Sequence, residues 1–166
     1  MFSQRIRVAV IGAVLTGMLA LSSCSTVNSG FGGVLNLDTN VTLKLMVESD
    51  INPDERGTPS PLYVRFYQLK DKKLFERSDF VQLFDKDEEI LGADFIARQK
   101  LKLIQPGQSR DEKFVLEEGV NYIGIYAEFN NYKDAAYKLV IPVTSDNVIR
   151  DVVKVNISDN RLRLIK

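Results

Sequence analysis

From residue 41 onward, apolar and polar positions alternate with a period of two in one short segment after another, the spacing of half-buried strands. In Val41 to Glu48, the residues Val41, Leu43, Leu45 and Val47 share one face against Thr42, Lys44 and Glu48, with Met46 the exception. Leu62 to Lys70 resumes the pattern, with Leu62, Val64 and Phe66 opposing Tyr63, Arg65, Tyr67 and Leu69. Ala93 to Ile104 sets Phe95, Ala97, Leu101 and Leu103 against Arg98, Lys100 and Lys102. Further strands are predicted at Glu112 to Glu117, Val120 to Phe129, Tyr137 to Val143, Ile149 to Ile157 and Arg161 to Lys166, the last with Leu162 and Leu164 inward. Val120 to Phe129 is the most apolar and is placed centrally, with Gly124 marking a close backbone approach or a bulge. Pro142 confines its strand to a sheet edge or a bulge.

Between the second and third of these strands the period changes. Leu74-Phe75 is read as a brief pairing segment, and Asp79 to Phe84 as a short helix with Ser78 as its N-cap and Phe80, Leu83 and Phe84 on one stripe. Asp85 caps a further turn through Ile90, ended by Gly92. About eight short strands with turn signals between them predict an all-β, two-sheet antiparallel sandwich with a short helical insertion between the second and third strands.

The first 40 residues follow a different logic. Arg5 and Arg7 precede fourteen uncharged residues, Val8 to Leu21, and the small pair Ser22-Ser23 leads to Cys24, the only cysteine of 166 residues. A basic start, an apolar run of roughly 7–15 residues and a small-residue cleavage site describe a secretory signal peptide. The run is short of the roughly 20 apolar residues a permanent span needs. Leu21-Ser22-Ser23-Cys24 resembles the bacterial lipobox, which implies cleavage after residue 23 and covalent S-diacylglycerol and N-acyl lipid on Cys24. Ser25 occupies the position where inner-membrane lipoproteins of that class carry Asp, so the resemblance implies the outer membrane, periplasmic face. Residues 25–40 are rich in Gly, Ser, Asn and Thr and read as a tether; sixteen such residues reach ~20–24 Å as a flexible coil. The expected division is 1–23 signal peptide, 24–40 lipidated N-terminus and tether, 41–166 sandwich.

Composition narrows the functions. Removing residues 1–23 takes two of the 22 basic residues and none of the 22 acidic ones, leaving a net charge of about −2, with no basic excess for nucleic acid. There is no histidine, which removes the commonest general base and metal ligand. The cluster Asp85, Asp87, Glu88, Glu89 begins like a calcium loop, but Ile90 and Ile96 stand where the glycine and the bidentate acid belong. It reads as a solvated helix end. No serine has a histidine to activate it. No metal, cofactor or catalytic site is expected, and no small-molecule substrate.

Ser49 to Pro61 (SDINPDERGTPSP) is different: too long for a hairpin turn, charged, and stiffened by three prolines. Pro61-Leu-Tyr-Val-Arg-Phe-Tyr-Gln-Leu69, followed by Phe80, Leu83-Phe84, Asp87, Leu91-Gly92, the Pro106-Gly107 turn and Tyr122-Ile-Gly-Ile-Tyr-Ala127, resembles the type VI secretion outer-membrane lipoproteins of the TssJ/VasD/SciN family. Lys138-Leu139 departs from the aromatic-basic pair frequent there. The resemblance implies a transthyretin-like sandwich without catalytic activity that binds the periplasmic C-terminal region of a TssM-type inner-membrane subunit. Its contact loop maps onto Asp50, Ile51, Asn52, Pro53, Asp54, Glu55, Arg56, Gly57, Thr58 and Pro59. The competing reading is a periplasmic lipoprotein that binds another envelope protein or holds a small apolar ligand between its sheets.

Overall fold

The computed structural model describes residues 40–143 and 152–165. Cys24, residues 25–39 and Ile149 lie outside the described residues. Eight strands are present: β1 Asn40–Val47, β2 Val64–Leu69, β3 Phe95–Lys100, β4 Arg110–Val115, β5 Tyr122–Ala127, β6 Lys138–Pro142, β7 Val152–Ser158 and β8 Arg161–Ile165. They form two four-stranded sheets, ordered β4-β1-β7-β8 and β3-β2-β5-β6. All neighbours are antiparallel except β1 and β7, which run parallel with Thr42 opposite Val152 and Val47 opposite Ile157. The sandwich is as expected; that one parallel seam joins segments more than a hundred residues apart.

The alternating residues of β1 meet those of β7 and the second sheet in the main core. Val41, Leu43, Leu45, Val47, Val64, Phe66, Ile123, Ile125, Val155 and Ile157 are all buried there. Phe66 stacks on Phe114 at 3.7 Å between ring centroids, filling the space between the sheets. Pro142 ends the edge strand β6, where its missing N–H removes no interior ladder bond.

The insertion has two helices, α1 Lys73–Arg77 and α2 Phe80–Leu91. Leu74-Phe75, expected as a brief strand, is therefore helical, and Phe75 is fully buried. The cap of α2 is Asp79 rather than Ser78. Asp79 accepts from the Gln82 amide while the Gln82 side chain accepts from Asp79 N–H, a reciprocal capping box. Ser78 instead donates back to the Leu74 carbonyl at 2.6 Å and closes α1. The second turn expected after Asp85 is fused to the first as one helix, bent at Lys86, whose φ and ψ are −140° and 36°. Both helices cover the outer face of β2 and β5. Phe75, Phe80, Leu83 and Leu91 pack there on Tyr67, Leu69 and Tyr126. β2 is consequently buried along its whole length, and β5 from Ile123 to Ala127. Gly124 of β5 is the close approach: a Cβ there would lie 3.0 Å from the Phe75 ring.

Two inward expectations fail at the margins. Leu164 has inward register opposite Val155, but β8 is an edge strand and leaves it 44% exposed. Leu103 lies beyond the end of β3 and is likewise exposed.

Candidate functional site

β1 feeds straight into the segment 48–61, and the structure shows how so polar a stretch holds its shape. Ile51 and Asn52 are buried. Asn52 adopts a left-handed φ of 49°. That conformation suits asparagine better than most residues. Its amide donates to the Pro61 carbonyl at 2.8 Å and its Oδ1 accepts from Asn130 N–H at 2.7 Å. The Asn52 N–H donates to the Asp159 carbonyl. One residue, through its side chain and its backbone N–H, thus ties the base of the loop to the β5–β6 and β7–β8 connections. Above it, Ser60 N–H donates to the Ile51 carbonyl and Asp54 N–H to the Thr58 carbonyl, so the loop is a narrow finger. Asp54 Oδ1 accepts from both Arg56 and Thr58 N–H at 2.9 Å, an Asx turn that sets the tip. Gly57, at φ +78°, supplies the left-handed residue of that turn.

Of the ten loop residues singled out from the sequence, eight face solvent or are half-buried: Asp50, Pro53, Asp54, Glu55, Arg56, Gly57, Thr58 and Pro59. Ile51 and Asn52 do not. Their burial removes them from any surface a partner can touch and makes them the foundation of the finger. The residues the sequence did not flag are Asn130, Asn131 and Asn160, which with Pro53, Asp54, Glu55 and Gly57 line an open cleft of about 740 Å3 beside the tip. Asn160 Oδ1 is buried there without a hydrogen-bond donor among the described residues.

A second polar assembly sits under α2. Arg65, on the outer face of β2, reaches into the bend of the helix. Its Nη1 donates to Asp87 Oδ2 and to the Leu83 carbonyl, each at 3.0 Å, and its Nε donates to Glu128 at 2.7 Å. The Phe84 carbonyl also accepts from this guanidinium. Tyr67 donates its hydroxyl to Asp87 at 2.5 Å, and Arg98 closes the cluster on both Asp87 oxygens. Burial pushes the Asp87 carboxyl up, but the hydrogen bonds from Tyr67 and Arg98 outweigh it and hold the group below the usual carboxylate range. Burial, reinforced by Asp87, drives the Tyr67 phenol well above its ordinary value. Every polar member is satisfied by another, and the cluster leaves no free nucleophile or base. It clamps the helices to the sheet. Asp85, Glu88 and Glu89 stay exposed, and no group of metal-binding residues occurs among the described residues.

A model of the family described as type VI secretion lipoprotein (VasD, EvfM, TssJ) matches residues 39–161. The chain belongs to this family. Among solved structures, the T6SS lipoprotein TssJ1 from Pseudomonas aeruginosa is similar with a TM-score of 0.69 over 77% of this chain and 95% of that one, at 24% identity. That likeness concerns the fold. A chain of the structure described as the type VI membrane complex is 29% identical over 76% of this lipoprotein and 98% of its own length, TM-score 0.67. A chain in the structure of the T6SS protein TssM C-terminal domain (869-1107) from EAEC is 27% identical over 76% and 98%, TM-score 0.65. No curated protein matches by sequence. The lipoprotein is thus a structural component of type VI secretion. No helix among its described residues is long and apolar enough to cross a membrane.

Proposed function

We propose that this lipoprotein is the outer-membrane footing of the type VI membrane complex and grips the periplasmic C-terminal region of a TssM-type inner-membrane subunit with its finger at 53–59. In this reading residues 1–23 are removed, Cys24 carries the acyl chains, residues 25–40 are the tether and the sandwich performs no catalysis. A covalent diacylglycerol plus an N-acyl chain meets the requirement of more than one chain for stable anchoring. The observation that carries the contact is the finger itself: an exposed, internally hydrogen-bonded turn standing on the buried Asn52. A pre-ordered loop gives up little entropy on docking. The likeness to a chain in the TssM C-terminal domain structure points to the same partner class.

The test replaces Asp54 to Pro59 by a Gly-Ser segment of equal length, keeping Ile51 and Asn52. Binding to the purified periplasmic region of the inner-membrane subunit is then measured by titration. Affinity should fall more than about tenfold, a loss of at least 1.4 kcal/mol, with unchanged thermal unfolding. Unaltered affinity would refute the finger as the contact. A Cys24→Ser chain should bind the partner normally and leave the membrane fraction; if it stays membrane-bound, the anchor reading fails.

A further inference from the structure

The two sheets differ on their outer sides. The helices cover β2 and β5, whereas the outer face of β4-β1-β7-β8 has no covering element among the described residues. Register shows what that open face carries. Residues directly opposite across a ladder share a face, so Lys44 stands in a row with Asp111 and Lys154, Thr42 with Lys113 and Val152, and Asn156 with Met46 and Arg163. Arg161 lies opposite Ser158 at the far end. Five cations, Lys44, Lys113, Lys154, Arg161 and Arg163, therefore point outward from one sheet, against Asp111 and Glu48. Lys44 pairs with Asp111 at 3.6 Å, and Asn156 donates to Glu48 at 3.1 Å. Lys113, Lys154, Arg161 and Arg163 are exposed and form no ion pair among the described residues. In a mature chain of about −2, this segregation gives the molecule a positive side.

Three exposed apolar residues share that side. Met46 is 45%, Val115 57% and Val152 40% exposed, and Val115 and Val152 flank Asn40 and Thr42, where the chain enters the sandwich from the tether. Cations on flexible stems around exposed apolar side chains are the surface chemistry of interfacial membrane binding.

We propose that the outer face of β4-β1-β7-β8 lies against an anionic phospholipid surface, the headgroups of the bilayer that holds the anchor. This rests on the lipoprotein reading above. The anchor confines the domain near the bilayer; the face decides which side of it turns inward. Each Lys or Arg close to an anionic surface strengthens the attraction by about fivefold. Docked this way, β1 lies along the membrane, and the finger projects sideways while the helices face away.

Acylation of Cys24, the sole cysteine, leaves any introduced cysteine as the one reactive thiol. The acylated chain is purified with either Thr42→Cys, on the open face, or Arg77→Cys, on the helical side, and labelled with a fluorophore. It is then reconstituted into phosphatidylcholine vesicles with or without phosphatidylglycerol, both containing a headgroup-linked quencher. Expected is several-fold stronger quenching at position 42 than at 77, only with phosphatidylglycerol. It should be lost when salt rises from about 0.1 M to about 1 M, shortening the screening length from ~10 Å to ~3 Å. Lys113→Gln, Lys154→Gln and Arg163→Gln together, mild enough to preserve the fold, should abolish it. Equal quenching at both sites, independence of phosphatidylglycerol, or shielding of position 42 only after the partner subunit is added overturns the proposal; the last assigns the face to an acidic protein surface. Flotation separates the two readings. A chain that floats with neutral vesicles has its anchor; one that floats only with phosphatidylglycerol, salt-sensitively, keeps the face and loses the anchor; one that floats with neither refutes both.

Discussion

Asp87→Asn tests the centre of the clamp, because asparagine keeps the shape while removing the negative charge and one of the two acceptor oxygens. Asp87 has 7% of its side chain exposed and is bound by Arg65, Tyr67 and Arg98. Removing one partner of a buried ion pair costs about 3–5 kcal/mol. Arg65 keeps Glu128 at 2.7 Å, and Arg98, a third exposed, can turn to water. The low end, about 3 kcal/mol, is therefore expected, a large share of the roughly 5–15 kcal/mol that holds a domain together. In urea, with a slope near 2 kcal/mol per M, the midpoint should drop by about 1.5 M. The sign with pH is also fixed. The folded carboxyl titrates below its unfolded value of about 3.9, so its contribution is present above that value and is lost as pH falls through the lowered folded pKa. The gap between wild type and variant should therefore begin to narrow as pH falls below about 4 and close only below the lowered folded pKa, where the wild-type carboxyl is neutral in both states. A difference under about 1 kcal/mol, typical of an exposed pair, would refute the clamp. So would a gap that stays constant from about pH 7 to about pH 3.

Two further substitutions probe the supports of the insertion and the finger. Gly124→Ala places a methyl 3.0 Å from the Phe75 ring, and overpacking of this kind should cost about 1–3 kcal/mol, read as a lower urea midpoint with faster amide exchange in α1. Asn52→Ala leaves the Pro61 carbonyl and the Asn130 N–H without partners; a destabilisation of about 2–4 kcal/mol and weaker partner binding should appear together, whereas Asn52→Gly should recover only the backbone share of the loss.

The strands were legible because each carries its own period: β1 reads its inner face directly from Val41, Leu43, Leu45 and Val47. What escaped depends on partners distant in sequence. Leu74-Phe75 has too few apolar residues to reveal a helix; α1 exists because Phe75 finds a pocket beside Gly124. Ser78 and Asp79 are both good caps, and only Gln82 at the third helical position favours the aspartate. Asp87 did leave a trace, since it falls on the stripe Phe80, Leu83, Asp87, Leu91 where an apolar residue belongs. Arg65 sits likewise in the buried strand β2, yet nothing local says that the two meet. At the finger, charge and proline marked the loop, but Ile51 and Asn52 read as part of its surface because the contacts that bury them are distant in sequence: the sandwich core for Ile51, and Asn130 and Asp159 for Asn52. The parallel pairing of β1 with β7 leaves no local mark at all.

That pairing gives β1 a mechanical meaning. β1 begins at Asn40 and the finger begins just past Val47, so if the proposed lipid anchor and partner grip hold, tension between them would run along this single strand. β1 is interior to its sheet, bonded to β4 on one side and β7 on the other. Ladder hydrogen bonds lie largely across the strand direction. Opposed pulls on its two ends would therefore be carried by the extended backbone of β1 itself, while both ladders hold it in register. Val41, Leu43, Leu45 and Val47 keep it seated in the core, which would make β1 the tie-rod of the lipoprotein.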